Sequence, residues 1–177
     1  MIAFDASVLV LFLNADAGVP TDPATKQPVE FARERINHLV GQIEKTASRI
    51  IIPTPALSEV LVHAGTATTA YLAKLNTHAA FKIAPFGQKA AIETALMIRA
   101  AHGLGDKRSG SKASWGKIKF DHQIVAIAKV EGASEIYSDD DDVRRLAELS
   151  GLVALSLSDI VLPPEIAQRK LPLTSHE

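Results

Sequence analysis

An α/β fold on a covered parallel sheet is the architecture this sequence predicts, and three observations carry it. Short β-prone runs recur along the chain and are apolar on both faces rather than alternating. Stretches with a helical apolar period separate them. The chain has 177 residues, 47% of them hydrophobic, enough to bury one substantial core. Together these predict a single domain over residues 1–177, with a sheet of about five strands.

The elements follow in order. "MIAF" is the first strand, with residues 2–4 at its heart, and "ASVLVLFLN" is the helix after it. The proline-rich stretch 15–28 is a loop. Pro28 opens a helix whose apolar positions Ala32, Ile36, Leu39, Val40, Ile43 and Ala47 keep the 3.6 period. "RIIIP" (49–53) is the second strand, followed by a helix from about Pro55. "FKIAP" (81–85) is the third, and "GQKAAIETALMIRAAHG" (87–103) the helix beyond it. Residues 105–119, rich in lysine, serine and glycine, read as a loop. "FDHQIVAIAKVEG" (120–132) is helical, "EIYS" (135–138) the fourth strand, "VRRLAELS" a helix and "LVALSL" (152–157) the fifth strand. Neither loop reads as a domain linker, because the strands on both sides are needed to complete one sheet.

Composition excludes several classes. Without cysteine, neither disulfides nor thiolate metal sites exist, which fits a reducing cytoplasm. The opening "MIAFDASVLVLFLNADAG" lacks basic leading residues and is interrupted by Asp5, so it does not read as a signal peptide. No apolar run approaches membrane-spanning length, and no membrane partner is expected. A net charge of −1 leaves no global basic footprint, so nucleic-acid affinity would have to be local.

Four carboxylates stand where structure alone does not ask for them. Asp5 follows the first strand, at the edge where open α/β sheets place ligands, although helix capping would also use it. Ser7 is placed to orient it or to help cap the helix. Glu59, in "PTPALSEVLVH", sits on a helix apolar around most of its circumference. His63 shares its face one turn on and reads as a packed side chain. Asp121 has Ile124, Val125 and Ala128 at i+3, i+4 and i+7, so it lies on the apolar stripe of its helix. His122 points elsewhere. Asp139 to Asp142 fill another strand-to-helix junction, where one aspartate caps the helix. One parallel sheet brings Asp5, Glu59, Asp121 and Asp140 to one edge. An oxygen-only cluster of this kind suits Mg²⁺ or Mn²⁺, and behind the metal a phosphate.

The ordered set "FDASVL", "IPTPALSEVL", "KFDHQIVAIAKVEG" and "IYSDDDDVRRL…GLVALSL" resembles the PIN-domain nucleases, including VapC-type toxins of toxin–antitoxin pairs. The likeness covers most of residues 1–157, with 158–177 as a C-terminal extension. It implies a three-layer α/β/α sandwich and a metal-dependent endoribonuclease that hydrolyses RNA phosphodiester bonds. It also implies Asp5, Glu59 and Asp121 as three catalytic, metal-binding acids. Ser138 stands where the family often has threonine, which makes Asp140 the fourth acid and Asp142 a further metal ligand. Within the aspartate run, the choice among Asp139, Asp140 and Asp142 stays open. The expected partners are RNA, a cognate antitoxin protein and a second copy of the chain.

The acidic pocket lacks positive charge, which Lys107, Arg108, Lys112, Lys117 and Lys119 would supply to RNA phosphates. Trp115, the only tryptophan, would stack on a base or else pin the loop to the body. Two rival readings differ in class. One is a PIN-like RNA-processing or RNA-binding protein outside any toxin pair, and its non-catalytic form would have no reason to keep the full acid set. The other is a phosphohydrolase of the haloacid-dehalogenase type with Asp5 as nucleophile. That family carries Asp or Thr where this chain has Ser7.

Overall fold

The computed structural model describes residues 1–169 apart from Pro23, Leu104, Asp106 and Lys107. Five parallel strands form one sheet in the order β3-β2-β1-β4-β5. They are β1 (Ile2–Phe4), β2 (Ile50–Pro53), β3 (Phe81–Ala84), β4 (Glu135–Tyr137) and β5 (Val153–Leu155). The helices are α1 (Ala6–Leu13), α2 (Ala32–Lys45), α3 (Thr54–Val62), α4 (Thr68–Thr77), α5 (Gln88–Gly103), α6 (Trp115–Val130), α7 (Asp141–Leu149) and α8 (Pro164–Arg169). From β1 the chain steps outward through β2 to β3, then crosses back to β4 and β5 on the other side. Right-handed crossovers running in opposite directions put their helices on opposite faces. Accordingly α1 packs with α2 and α3, and α6 packs with α5 and α7, giving the three-layer α/β/α sandwich.

Burial explains why the central strands are apolar throughout. Residues 2–4 and 50–53 are buried on both faces, and Phe4, Ile51 and Ile136 are inaccessible to solvent. Phe4 meets Phe81 and Tyr137 edge to face across the sheet, at ring separations of 6.5 and 5.9 Å. The leader-like opening is therefore core strand and core helix. Among the described residues, no helix is long and apolar enough to cross a membrane.

Three boundaries differ from the sequence reading. Pro28 does not open α2; it bridges back to Thr21, and Phe31 turns through a positive φ before the helix begins at Ala32. Ala47 lies beyond the helix, at φ 52°, where Ser48 N–H reaches the Ile43 carbonyl and Ala47 N–H reaches Glu44. This is a Schellman ending with alanine in the left-handed position that glycine normally fills. Ala47→Gly should therefore raise stability by about 0.5–1 kcal/mol, the left-handed cost less the extra chain entropy of glycine. A rise in melting temperature of about 1–4 °C would register it.

The third difference matters most. Residues 115–119, expected as loop, are the first turn of α6, capped by the Ser114 hydroxyl accepting from Lys117 N–H at 3.3 Å. That extra turn fixes the position of Lys117.

Candidate active site

The chain reverses its direction of travel across the sheet between β1 and β4, and the crevice outside the carboxyl ends at such a point is where ligands sit. Asp5 leaves β1 there, and the aspartate run leaves β4. A cavity of about 500 Å³ opens at this edge, lined by Asp5, Glu59, Asp121 and Asp140 together with Ser7, His63 and Lys117.

Asp5 occupies the N-cap position of α1, yet its side chain makes no capping bond. One carboxylate oxygen instead accepts from Ser138 at 2.7 Å and from Ser7 at 3.2 Å. The same two hydroxyls accept from the backbone N–H groups of Asp140 and Asp139, each at 3.0 Å. Two serines thus pin the end of β1 to the turn after β4. Asp5 is 4% exposed, and burial pushes its pKa up despite those hydrogen bonds, with the Asp140 charge adding to the rise.

Asp121 is also buried. Burial, with Asp140 and Asp5 nearby, raises its pKa to about 6 even though the Lys117 ammonium stands beside it. Glu59 turns outward from the largely apolar α3, and its side chain is exposed at the cavity wall. Partial burial and the Asp5 charge still raise its pKa. His63 is exposed on the same wall rather than packed inside.

The aspartate run divides its labour. Asp140 caps α7 with one oxygen, accepting from Asp142 N–H at 2.8 Å and from Val143 N–H at 3.4 Å. Its other oxygen lies 2.8 Å from the Lys117 ammonium, which also reaches Asp121 at 2.9 Å. Burial lowers the lysine pKa, but bonds and charges from Asp140 and Asp121 outweigh it and lift it above the usual range. Asp139 accepts from Leu157 N–H at 3.0 Å and ties the end of β4 to the turn after β5. Asp141 faces solvent.

Asp142 lies outside this cavity. It accepts from the Ser111 hydroxyl and from Arg145, each at 2.5 Å, and Arg145 in turn donates to the Ser109 carbonyl. Burial favours its neutral form, but these bonds win and hold its pKa below the ordinary value. Asp142 therefore anchors the basic loop. Asp142→Asn should cost about 1–2 kcal/mol and speed proteolysis between residues 108 and 114. Nuclease activity should stay within about threefold of wild type, whereas a lost metal ligand would cost tenfold or more.

Of the basic candidates, Lys117 alone among the described ones lines the acidic cavity. Arg108 binds the Ala113 carbonyl, Lys112 is exposed, and Lys119 sits 5.8 Å over the Trp115 ring. Lys107 lies outside the described residues. The sequence reading missed Phe120, which is 46% exposed and lines the cavity beside Asp121. Its one signal was an aromatic residue on the polar face directly before a candidate acid. His122 is buried, hydrogen-bonded through Nδ1 to the Ile118 carbonyl at 2.7 Å, and Nε2 makes no hydrogen bond among the described residues.

Carboxylates held near one another at raised pKa are short of positive charge, and an all-oxygen donor set fits a hard divalent cation. Among the described residues, no three of the acids and histidines are gathered as a ready cage. The Lys117 ammonium bridges the pair at the centre. In kind, the four carboxylates that line the cavity are the donors a hard divalent ion takes.

The PIN domain profile matches residues 25–149. The fold is similar to VapBC2 from Rickettsia felis bound to a DNA fragment from its promoter, with a TM-score of 0.58 at 14% identity over 88% of this chain and 98% of that one. It is also similar to DNA-bound VapBC from Salmonella typhimurium, with a TM-score of 0.56 at 14% identity over 88% and 97%. A third is Mycobacterium tuberculosis VapC20, a sarcin-ricin loop cleaving toxin, with a TM-score of 0.54 at 15% identity over 92% and 100%. No curated protein sequence matches the chain. At such identities the structural likeness is one of fold, and the profile carries the assignment: this chain belongs to the PIN domain family.

Proposed function

We propose that the protein is a metal-dependent endoribonuclease, with Asp5, Glu59, Asp121 and Asp140 holding Mg²⁺ or Mn²⁺. The observation that carries this is the convergence of four carboxylates, from four separate segments, on one cavity at the switch point of the sheet. A bound divalent ion would lower the pKa of its water and stabilise charge developing on a phosphate. The chain's own residues do the rest. Ser7 and Ser138 fix the Asp5 carboxylate, and the α7 cap fixes Asp140. Lys117 and the exposed Phe120 face the space a phosphate and its base would fill. The chain acts as one PIN-like unit in the cytoplasm, with residues 158–177 as an extension.

Toxin–antitoxin complexes among the similar folds favour a toxin role with a protein antitoxin. A second copy of the chain is a further proposed partner. Circular single-stranded RNA tests the activity, because only an endonuclease can open it. Purified protein with Mg²⁺ should linearise the circle, and excess EDTA should stop it. Linearisation that persists in EDTA ends the metal-dependent reading. Lys112 on the basic loop and Lys119 on α6 have their own test on catalytically dead Asp5→Asn protein. Replacing Lys112 and Lys119 with glutamine should flatten the salt dependence of RNA binding by roughly 0.7 per lost contact. An unchanged slope removes both from the RNA path.

A further inference from the structure

Lys117 makes two ion pairs at the centre of the acidic cavity, and the oxygens it holds are the ones a metal would need. Asp140 has a single oxygen to offer, because the other is committed to the N–H groups at the start of α7. That free oxygen is 2.8 Å from the ammonium. The Asp121 oxygen aimed at Lys117 is 2.9 Å away. On Asp5, one oxygen already accepts from both serines. A divalent ion cannot share Asp121 and Asp140 while an ammonium sits on both. The lysine can leave: its side chain is 42% exposed on a flexible four-carbon stem, and only its backbone is held by the Ser114 cap.

We propose that Lys117 is a displaceable internal counter-ion, which neutralises the acidic pocket in the metal-free protein and gives way when a divalent cation enters. The proposal rests on the reading that this pocket binds metal. Once displaced, the ammonium is one side-chain swing from the cavity mouth, where an RNA phosphate would receive it. RNA therefore removes the metal's competitor, and metal supplies the charge that releases the lysine for RNA. By linkage each ligand must tighten the other by the same factor. The free protein then binds metal weakly, and its metal site assembles when substrate arrives.

The test is Mn²⁺ binding by calorimetry at neutral pH, on wild type, Lys117→Gln, Lys117→Met and the charge-keeping Lys117→Arg. Circular dichroism checks that each is folded. Losing the competing charge should tighten Mn²⁺ binding about tenfold or more in the Gln and Met variants and leave Arg near wild type. The same two variants should melt at lower temperature in EDTA, because their carboxylates face one another without a cation. Uncleavable 2′-O-methyl RNA should tighten Mn²⁺ binding to wild type but not to Lys117→Gln. Mn²⁺ binding that is unchanged or weaker in both neutral variants, with wild type still binding, overturns the counter-ion role and leaves the metal site standing. No Mn²⁺ binding by any of the four overturns the metal reading and this proposal together.

Discussion

Asp5→Asn and Asp121→Asn are each expected to cut RNA cleavage by about 10³-fold or more while making the metal-free protein more stable. The activity loss follows from the several kcal/mol of transition-state charge that a bound metal stabilises, at 1.36 kcal/mol per tenfold. The stability gain follows from burial. Both carboxylates are buried in a pocket that disfavours their ionised form. For Asp121, a folded pKa of about 6 against an ordinary 3.8 puts the cost of ionisation at about 2–3 kcal/mol near neutral pH. The sign has a consequence in pH. A raised folded pKa adds stability that is full below about 3.8 and is lost as pH rises through about 6. Urea unfolding in EDTA should show wild type weakening between pH 4 and pH 7, with a shallower fall in Asp121→Asn. A large drop in melting temperature for either variant would mark the residue as a structural cap and remove it from the active site.

Mg²⁺ should stabilise the folded protein by mass action, by about 2.7 kcal/mol at a hundredfold excess over its dissociation constant. For a chain of this size that is a rise in melting temperature of about 5–10 °C. Asp5→Asn and Asp121→Asn should lose most of the rise, whereas Asp142→Asn should keep it. Ca²⁺ should give a comparable thermal shift and little cleavage, because its looser coordination positions water less strictly. A thermal shift retained in full by Asp121→Asn would place the cation elsewhere on the protein.

The parts of this molecule legible in its sequence are those where one force dominates. "IIIP" has no polar residue to offer water, so β2 could only be a strand covered on both faces. Asp121 was legible for the same reason, as a charge on an apolar stripe, and it is buried. The placement of Glu59 stayed open because α3 is apolar nearly all round, so periodicity could not tell the wall of a cavity from the core. In the aspartate run four identical residues carry no order of their own. Capping geometry assigns Asp140 one oxygen for α7 and one for the cavity, and hydrogen bonds from another loop turn Asp142 away. Helix α4 escaped because its sequence is threonine- and alanine-rich and buries little beyond Leu75. The first turn of α6 looked like loop because glycine and lysines mask it, and Ser114 was its single start signal.

Anomalous diffraction from crystals of the protein with uncleavable 2′-O-methyl RNA, soaked in Mn²⁺, shows whether the four acids form a divalent-metal site. A manganese peak is expected inside the cavity, coordinated by Asp5, Asp121 or Asp140 oxygens, with the Lys117 ammonium moved off Asp121 and Asp140. A cavity without manganese, with the Lys117 ion pairs intact at Mn²⁺ concentrations that support RNA cleavage, would contradict it.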